Sequence, residues 1–399
     1  MDALTKLRAC SILVFLCAQL LSAQKTPRRV ESPEIQQHID KVTTCLRPMA
    51  NDDPHPCATL SERMTALHIP GVSIAVFHNG VIWARGFGVK QVGGAPVTPD
   101  TLFQAGSISK PVAAMAALHL VQNKRLALDA DINTELVSWK VPNSPAANGK
   151  VVTLRELLTH TAGFTVHGFP GYAANEPVPT LIQVLNGQKP ANTPAIRIQS
   201  EPGSTWRYSG GGYTVMQQTL LDVSKEPFPT LLHDTVLAPI GMTHSTYEQP
   251  LPRHTQADAA TPYDGKGSPI PGGAHTYPEM AAAGLWTTPA DLVQYCEEVE
   301  HSLQGKRNRV LSQDLTRQML TPGKGEWGLG LMIGGSGADP YFTHNGVDAG
   351  FESLFVAYEN HSDGAVVMTN AQGGSRLAEE ILQSIATEYG WPDFHAVRK

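Results

Sequence analysis

Strand-forming sequence lies near the two ends of this 399-residue chain and is scarce between them, a division that restricts the fold more than any single motif. Near the N-terminus, "GVSIAVFHNGVIWARGFGV" sets β-branched and aromatic residues on either side of Asn79 and Gly80. An Asn-Gly pair between two such runs predicts a tight antiparallel hairpin, because both central residues of that turn need positive φ. Strand character returns only in "WGLGLMIGG", "FESLFVAYE" and "GAVVMTN", and "SRLAEEILQSIATEYG" then reads as a closing helix. From about 125 to 320 the chain is helix-like segments separated by Pro/Gly-rich loops such as "GFTVHGFPGYAANEPVP" and "DGKGSPIPGGAHTYPE". The predicted class is therefore α+β: one antiparallel sheet built from N- and C-terminal strands, flanked by helices, with a large, mostly α inserted lobe. A cleft between the sheet and the lobe is the natural place for a site. The boundaries read from this pattern are an N-terminal segment over 24–60 and a single domain over 61–390. That domain divides into an α/β part (61–125 plus 325–390) and a helical lobe (126–324).

The first residues read as an export signal. Lys6 and Arg8 precede the apolar run "ACSILVFLCAQLL", and small residues suited to cleavage follow, with the cut placed after Ala23. About 12 apolar residues are too few for the ~20 of a membrane-spanning helix, so the mature chain is expected in a periplasmic or extracellular compartment with no stable membrane span, an uncleaved N-terminal anchor being the alternative. Cleavage removes Cys10 and Cys17 and leaves Cys45, Cys57 and Cys296 in an oxidising environment. Cys45 and Cys57 bracket "LRPMANDDPHP", a spacing that allows a short disulfide loop without requiring one; Cys296 reads as buried packing. A net charge of -6 and the lack of any long basic run exclude the electrostatic footprint of a nucleic-acid binder.

Chemistry is first suggested by "FQAGSISKPVAAMAALHL". The Ala/Leu/Met-rich run after Pro111 predicts a helix, with Ser107 at its N-terminus and Lys110 in its first turn. A serine hydroxyl needs a neighbouring base, and a lysine serves only when desolvation or nearby charge brings its pKa from ~10.4 toward neutrality. Spacing alone is weak evidence, since Ser22 and Lys25 repeat it at the leader junction, and a serine that merely caps the helix fits equally well. Two later stretches add weight: "PGSTWRYSGGGYTVMQQ" puts Tyr208 in a Gly-rich turn before a helix, and "YFTHNGVDAGFESLF" puts His344, Asn345 and Gly346 beside a strand.

Ser-x-x-Lys followed by two further polar motifs is the order found in penicillin-interacting serine enzymes. With "LFQAGSISKPV", "LRELLTHTAGF", "EPGSTWRYS", "VLAPIGMTHST" and "AAAGLWTTPADL" in sequence, the chain from about 60 to 390 resembles the β-lactamase-related serine hydrolases, and within them the class C branch, whose later motifs are Tyr-x-Asn and Lys-Thr-Gly or His-x-Gly. This family also includes D,D-carboxypeptidases, D-aminopeptidases and esterases. The resemblance implies Ser107 as acylated nucleophile, Lys110 as its activating partner, Tyr208 as proton relay or base, and His344 in the place of the third-motif lysine. It further implies an oxyanion hole from the backbone N–H groups of Ser107 and Val347, with Asn345 and Gly346 lining the substrate site. Two departures matter. Gly210 stands where class C has asparagine, which makes strong penicillinase activity doubtful. His344 in place of lysine predicts that recognition of a substrate carboxylate weakens as pH rises, a trend visible in the relative KM of carboxylate-bearing and neutral esters.

Other chemistries lack their motifs. There is no Gly-x-Ser-x-Gly elbow, the 15 histidines form no His-Glu-x-x-His, and "GFGVKQ" and "GLGLMI" do not complete a Gly-x-Gly-x-x-Gly loop. The sequence thus predicts a cofactor-independent acyl hydrolase acting on a small-molecule or peptide substrate: a small ester, a D-residue peptide or another amide, with cell-wall fragments among the peptides. A β-lactamase or D,D-carboxypeptidase proper, and a penicillin sensor that acylates once, are the competing readings.

Overall fold

The computed structural model describes residues 32–47, 57–335, 337–392 and 394; the leader, its cleavage site and Ser22–Lys25 lie outside them. Six strands form one antiparallel sheet: β1 (Gly71–His78), β2 (Val81–Gly88), β3 (Met332–Gly334), β4 (Tyr341–Asp348), β5 (Phe351–Tyr358) and β6 (Asp363–Thr369). Their order across the sheet is β2-β1-β6-β5-β4-β3. The hairpin forms where Asn79-Gly80 predicts it, with both residues at positive φ (50° and 79°) and His78 paired with Val81. β1 then pairs along its length with β6, from Val72↔Thr369 to His78↔Asp363, so the two ends of the chain close a single sheet. Of the predicted strand around "WGLGLMIGG" only Met332–Gly334 is paired, since Gly330 turns through φ 103° against Ala114.

The principal helices are α1 (Pro33–Thr44), α2 (Leu60–Ala66), α3 (Ser109–Gln122), α4 (Gly210–Ser224), α5 (Pro289–Leu303) and α6 (Gly374–Tyr389). Alternation along β1 sends Val72, Ile74 and Val76 to one face, where they meet Ile39 and Val42 of α1 and Leu377, Ile381 and Ile385 of α6. Ala75 and Phe77 face the opposite core, shared with α3, α4 and α5. α3 carries no apolar stripe because it is buried on all sides, a central helix rather than a surface one.

α1 packs on α6, and a buried bidentate pair from Arg63 to Glu380 (2.8 and 2.7 Å) ties α2 to the same helix. α5 lies on β1 and β6, its apolar residues Leu292, Val293, Cys296 and Val299 buried in the sheet-side core. Cys45 and Cys57 form a disulfide, and Cys296 is a buried free thiol whose pKa burial pushes up. Among the described residues no helix is long and apolar enough to cross a membrane.

Candidate active site

The site is built where α3 begins under the edge of β4. From Thr101 to Leu118 every residue is buried except Ser107. Ser107 sits in a single 3-10 turn, Gly106–Ile108, that feeds directly into α3. No side chain caps that helix, so the capping role the sequence allowed for Ser107 is not what holds it there. The fixing is done by Ser109, whose hydroxyl donates to Gly106 O (2.6 Å) and accepts from Leu285 N–H (2.9 Å). Two glycines then let the turn touch the strand. A Cβ on Gly106, at φ 53°, would lie 2.5 Å from Val347 N, and one on Gly346 would lie 1.9 Å from Ala105 O.

Lys110 is only 2% exposed, and its Nζ donates to Ser107 Oγ and to Ala282 O, each at 2.8 Å. Burial pulls its pKa down to about 7, with the charge of Asp348 opposing the shift. The Tyr208 hydroxyl lies against Ser107, and burial pushes its pKa well above the usual phenol value. Lys110 Nζ stands 4.9 Å from the centroid of the Tyr208 ring. At neutral pH the phenol therefore keeps its proton while the amine can lose one.

Tyr208 is aimed by the start of α4. Ser209 caps the helix by accepting from Gly212 N–H (3.0 Å), while the carbonyls of His167 and Val166 accept from Gly210 N–H (2.9 Å) and Gly211 N–H (3.0 Å). Val166 holds φ 64°, a costly conformation for a β-branched residue, as the loop delivers these carbonyls. Gly210 is consequently buried: its N–H is used by the loop, and a Cβ there would sit 3.0 Å from both His167 O and the Phe169 ring.

On β4, Asp348 and Phe351 close a two-residue turn, and ladder alternation then points Val347 N–H away from β5 and toward the nucleophile turn. Val347 N thus lies against the turn that carries Ser107, 2.5 Å from where a Cβ on Gly106 would sit. His344 is buried, its Nδ1–H donating to Asn345 O (2.6 Å), and its ring is 5.4 Å from Trp327 and 6.3 Å from Tyr208. Asn345 and Gly346 follow on the same strand, and Val347 is 50% exposed at the rim.

Several residues at this site carried no recognisable sequence signal. His160, inside the phrase "LRELLTHTAGF", accepts from Ser209 N–H (3.1 Å) and stacks on Tyr208 with ring centroids 4.2 Å apart. Burial drives its pKa well below the usual imidazole value, so it is neutral. Trp206 and Trp327 stand beside it, their rings 5.7 Å apart. Asp348 and Glu279 are buried acids found only through the fold. Among the described residues no group of three or more His, Cys, Asp or Glu side chains is arranged to hold a metal ion.

Comparison with known families agrees with this geometry. The family model described as Beta-lactamase matches residues 58–387. The chain belongs to the β-lactamase family. It is 26% identical over 331 residues to the putative penicillin-binding protein PbpX of Bacillus subtilis, covering 80% of this chain and 75% of that one. Its fold matches that of the octameric penicillin-binding protein homologue from Pyrococcus abyssi (TM-score 0.67, 23% identity, 83% of this chain and 76% of that one). It also matches the D-amino acid amidase from Ochrobactrum anthropi (TM-score 0.64, 21% identity, 82% and 96%). β-Lactamase family members are serine hydrolases, and the predicted antiparallel sheet with flanking helices is the fold these structures share with the chain.

Proposed function

We propose that this chain is an exported serine acyl hydrolase that forms a covalent acyl-enzyme on small esters or on amides and peptides of D-residues. The observation that carries the reading is Ser107, the one accessible residue of a buried stretch, with the Nζ of a desolvated Lys110 at 2.8 Å. In the acylation step neutral Lys110 takes the Ser107 proton as Oγ bonds to the substrate carbonyl carbon. The oxygen that becomes negative is held by the N–H groups of Ser107 and Val347, a pair in which one donor is worth roughly 2.7–4 kcal/mol in other acyl-transfer enzymes. Collapse of the tetrahedral species expels the alcohol or amine, which leaves with a proton passed on through Tyr208. Water, activated by the same lysine, then releases the acid and regenerates Ser107 Oγ–H.

Support for the amide side comes from the fold shared with a D-amino acid amidase. Support for export comes from the leader sequence together with the Cys45–Cys57 disulfide, which suits an oxidising compartment. Gly210 and the Phe169 ring packed over it weigh against efficient penicillin hydrolysis, since no amide occupies the second-motif position.

Intact-mass spectrometry over time tests the proposal, with 4-nitrophenyl acetate, a D-amino acid amide and a penicillin offered to the mature protein and to Ser107→Ala. An adduct that requires Ser107 and decays as product accumulates is the expected result with the first two reagents. A permanent adduct would instead identify a sensor, and no Ser107-dependent adduct with any reagent would defeat the reading.

A further inference from the structure

His160 takes no part in the acyl transfer as written, yet it holds the chain on both sides of Tyr208. It sits just beyond the short helix Leu154–Leu158, in a turn pinned where Thr161 N–H and Ala162 N–H both donate to Glu156 O (2.9 and 3.1 Å). From there its carbonyl accepts from Arg207 N–H (2.8 Å) and its Nδ1 accepts from Ser209 N–H (3.1 Å). The residues before and after Tyr208 are thus fixed by one partner, whose ring also lies on the Tyr208 ring, the centroids 4.2 Å apart and the planes 32° from parallel. Tyr213 and Trp327, with centroids at 5.2 and 5.0 Å, enclose the imidazole.

Two costs accompany this arrangement. His160 holds φ 58°, a conformation uncommon outside glycine. Because Nδ1 accepts a hydrogen bond, the neutral ring carries its proton on Nε2, and that nitrogen is buried with no hydrogen-bond partner among the described residues. An apolar side chain would fill the same space without burying an orphan donor, so packing alone does not account for a histidine here. What the imidazole adds is the Nδ1 acceptor for Ser209 N–H. We infer that His160 is a positioning residue for Tyr208, clamping the chain on either side of it through its own carbonyl and Nδ1 so that the phenol stays against Ser107. Ser209 continues the clamp into α4, since its hydroxyl accepts from Gly212 N–H at the helix start.

The inference rests on the reading of Tyr208 as the group that passes a proton to the leaving alcohol or amine, and a pair of esters separates their fates. 4-Nitrophenyl acetate and trifluoroethyl acetate form the same acetyl-enzyme, but 4-nitrophenolate leaves as a stable anion whereas the more basic alkoxide needs a proton. The quantity measured is kcat/KM, which reports the path through acylation, read as acid release by the full mature chain beside its thermal unfolding. His160→Leu is expected to lose about tenfold or more with trifluoroethyl acetate and to stay within threefold of the wild type with 4-nitrophenyl acetate. His160→Asn is close to leucine in shape, offers an amide oxygen as acceptor and tolerates positive φ, so it should recover most of that loss. In a Tyr208→Phe background His160→Leu should cost nothing further. His160→Gly, suited to φ 58°, carries the same comparison should the leucine variant fail to fold. A folded variant without the acceptor that stays within threefold of the wild type on trifluoroethyl acetate overturns the inference. So does a loss that persists undiminished in Tyr208→Phe, or one equal on both esters where Tyr208→Phe is selective. If Tyr208→Phe itself slows both esters alike, the relay reading fails instead, and the double variant still decides whether His160 acts through Tyr208.

Discussion

Gly346→Ala isolates the contact between the nucleophile turn and β4. The new Cβ would start 1.9 Å from Ala105 O and 2.8 Å from Ser353 Oγ, whereas real Cβ contacts essentially never fall under 3.0 Å. Ala105 O is backbone, and it already accepts a hydrogen bond from Ser353 Oγ (3.2 Å), so neither neighbour can simply rotate away. The turn must therefore retreat by about 1 Å or more, carrying Ser107 N–H away from Val347 N–H; a displacement of that size costs on the order of 100-fold in rate. Effective loss of one oxyanion donor sets the upper end near 1000-fold, or about 4 kcal/mol. Overpacking should also lower stability by ~1–3 kcal/mol. The assay is stopped-flow release of 4-nitrophenolate in a single turnover, run beside thermal unfolding. Gly212→Ala is the matched control: inside α4 its Cβ would meet nothing closer than Leu157 at 3.7 Å, and helix propensity should make it neutral or stabilising by up to ~1 kcal/mol. If Gly346→Ala acylates within threefold of the wild type, the reasoning that places Ala105 and β4 in obligatory contact is refuted.

Two further outcomes follow from the same geometry. Gly210→Asn, which restores the class C residue, should not raise penicillin turnover by itself because His167 O and Phe169 already occupy the space at 3.0 Å; turnover should improve only when Phe169→Ala is added, as steady-state kinetics on the single and double variants would show. Burial draws Lys110 down to about 7 in the folded chain from an ordinary value of 10.5, so between those values the unfolded chain binds more protons and this residue makes stability rise with pH. Lys110→Met should abolish acylation and flatten that slope in denaturant titrations at pH 7, 8.5 and 10; an unchanged slope would contradict the burial argument.

What the sequence determined by itself is what short-range chemistry specifies. Asn79-Gly80 encodes its hairpin because only those backbone angles join two twisted strands in two residues. The runs that become α3 and α6 announce themselves through helix-forming side chains, and the order of Ser107, Lys110, Tyr208 and His344 was enough to point to the β-lactamase family. Tertiary structure decided the rest. Which of Tyr208 and Lys110 keeps its proton at neutral pH is invisible in "RYSGGG", because that depends on burial that pushes the phenol well up while drawing Lys110 to about 7. The fate of Gly210 depends on a loop more than 40 residues earlier, and Gly106 meets Val347 only because β4 is laid beside the start of α3 across more than 200 residues of chain. Local propensity acts between neighbours in sequence; desolvation and charge act between neighbours in space, and those exist only once the chain has folded.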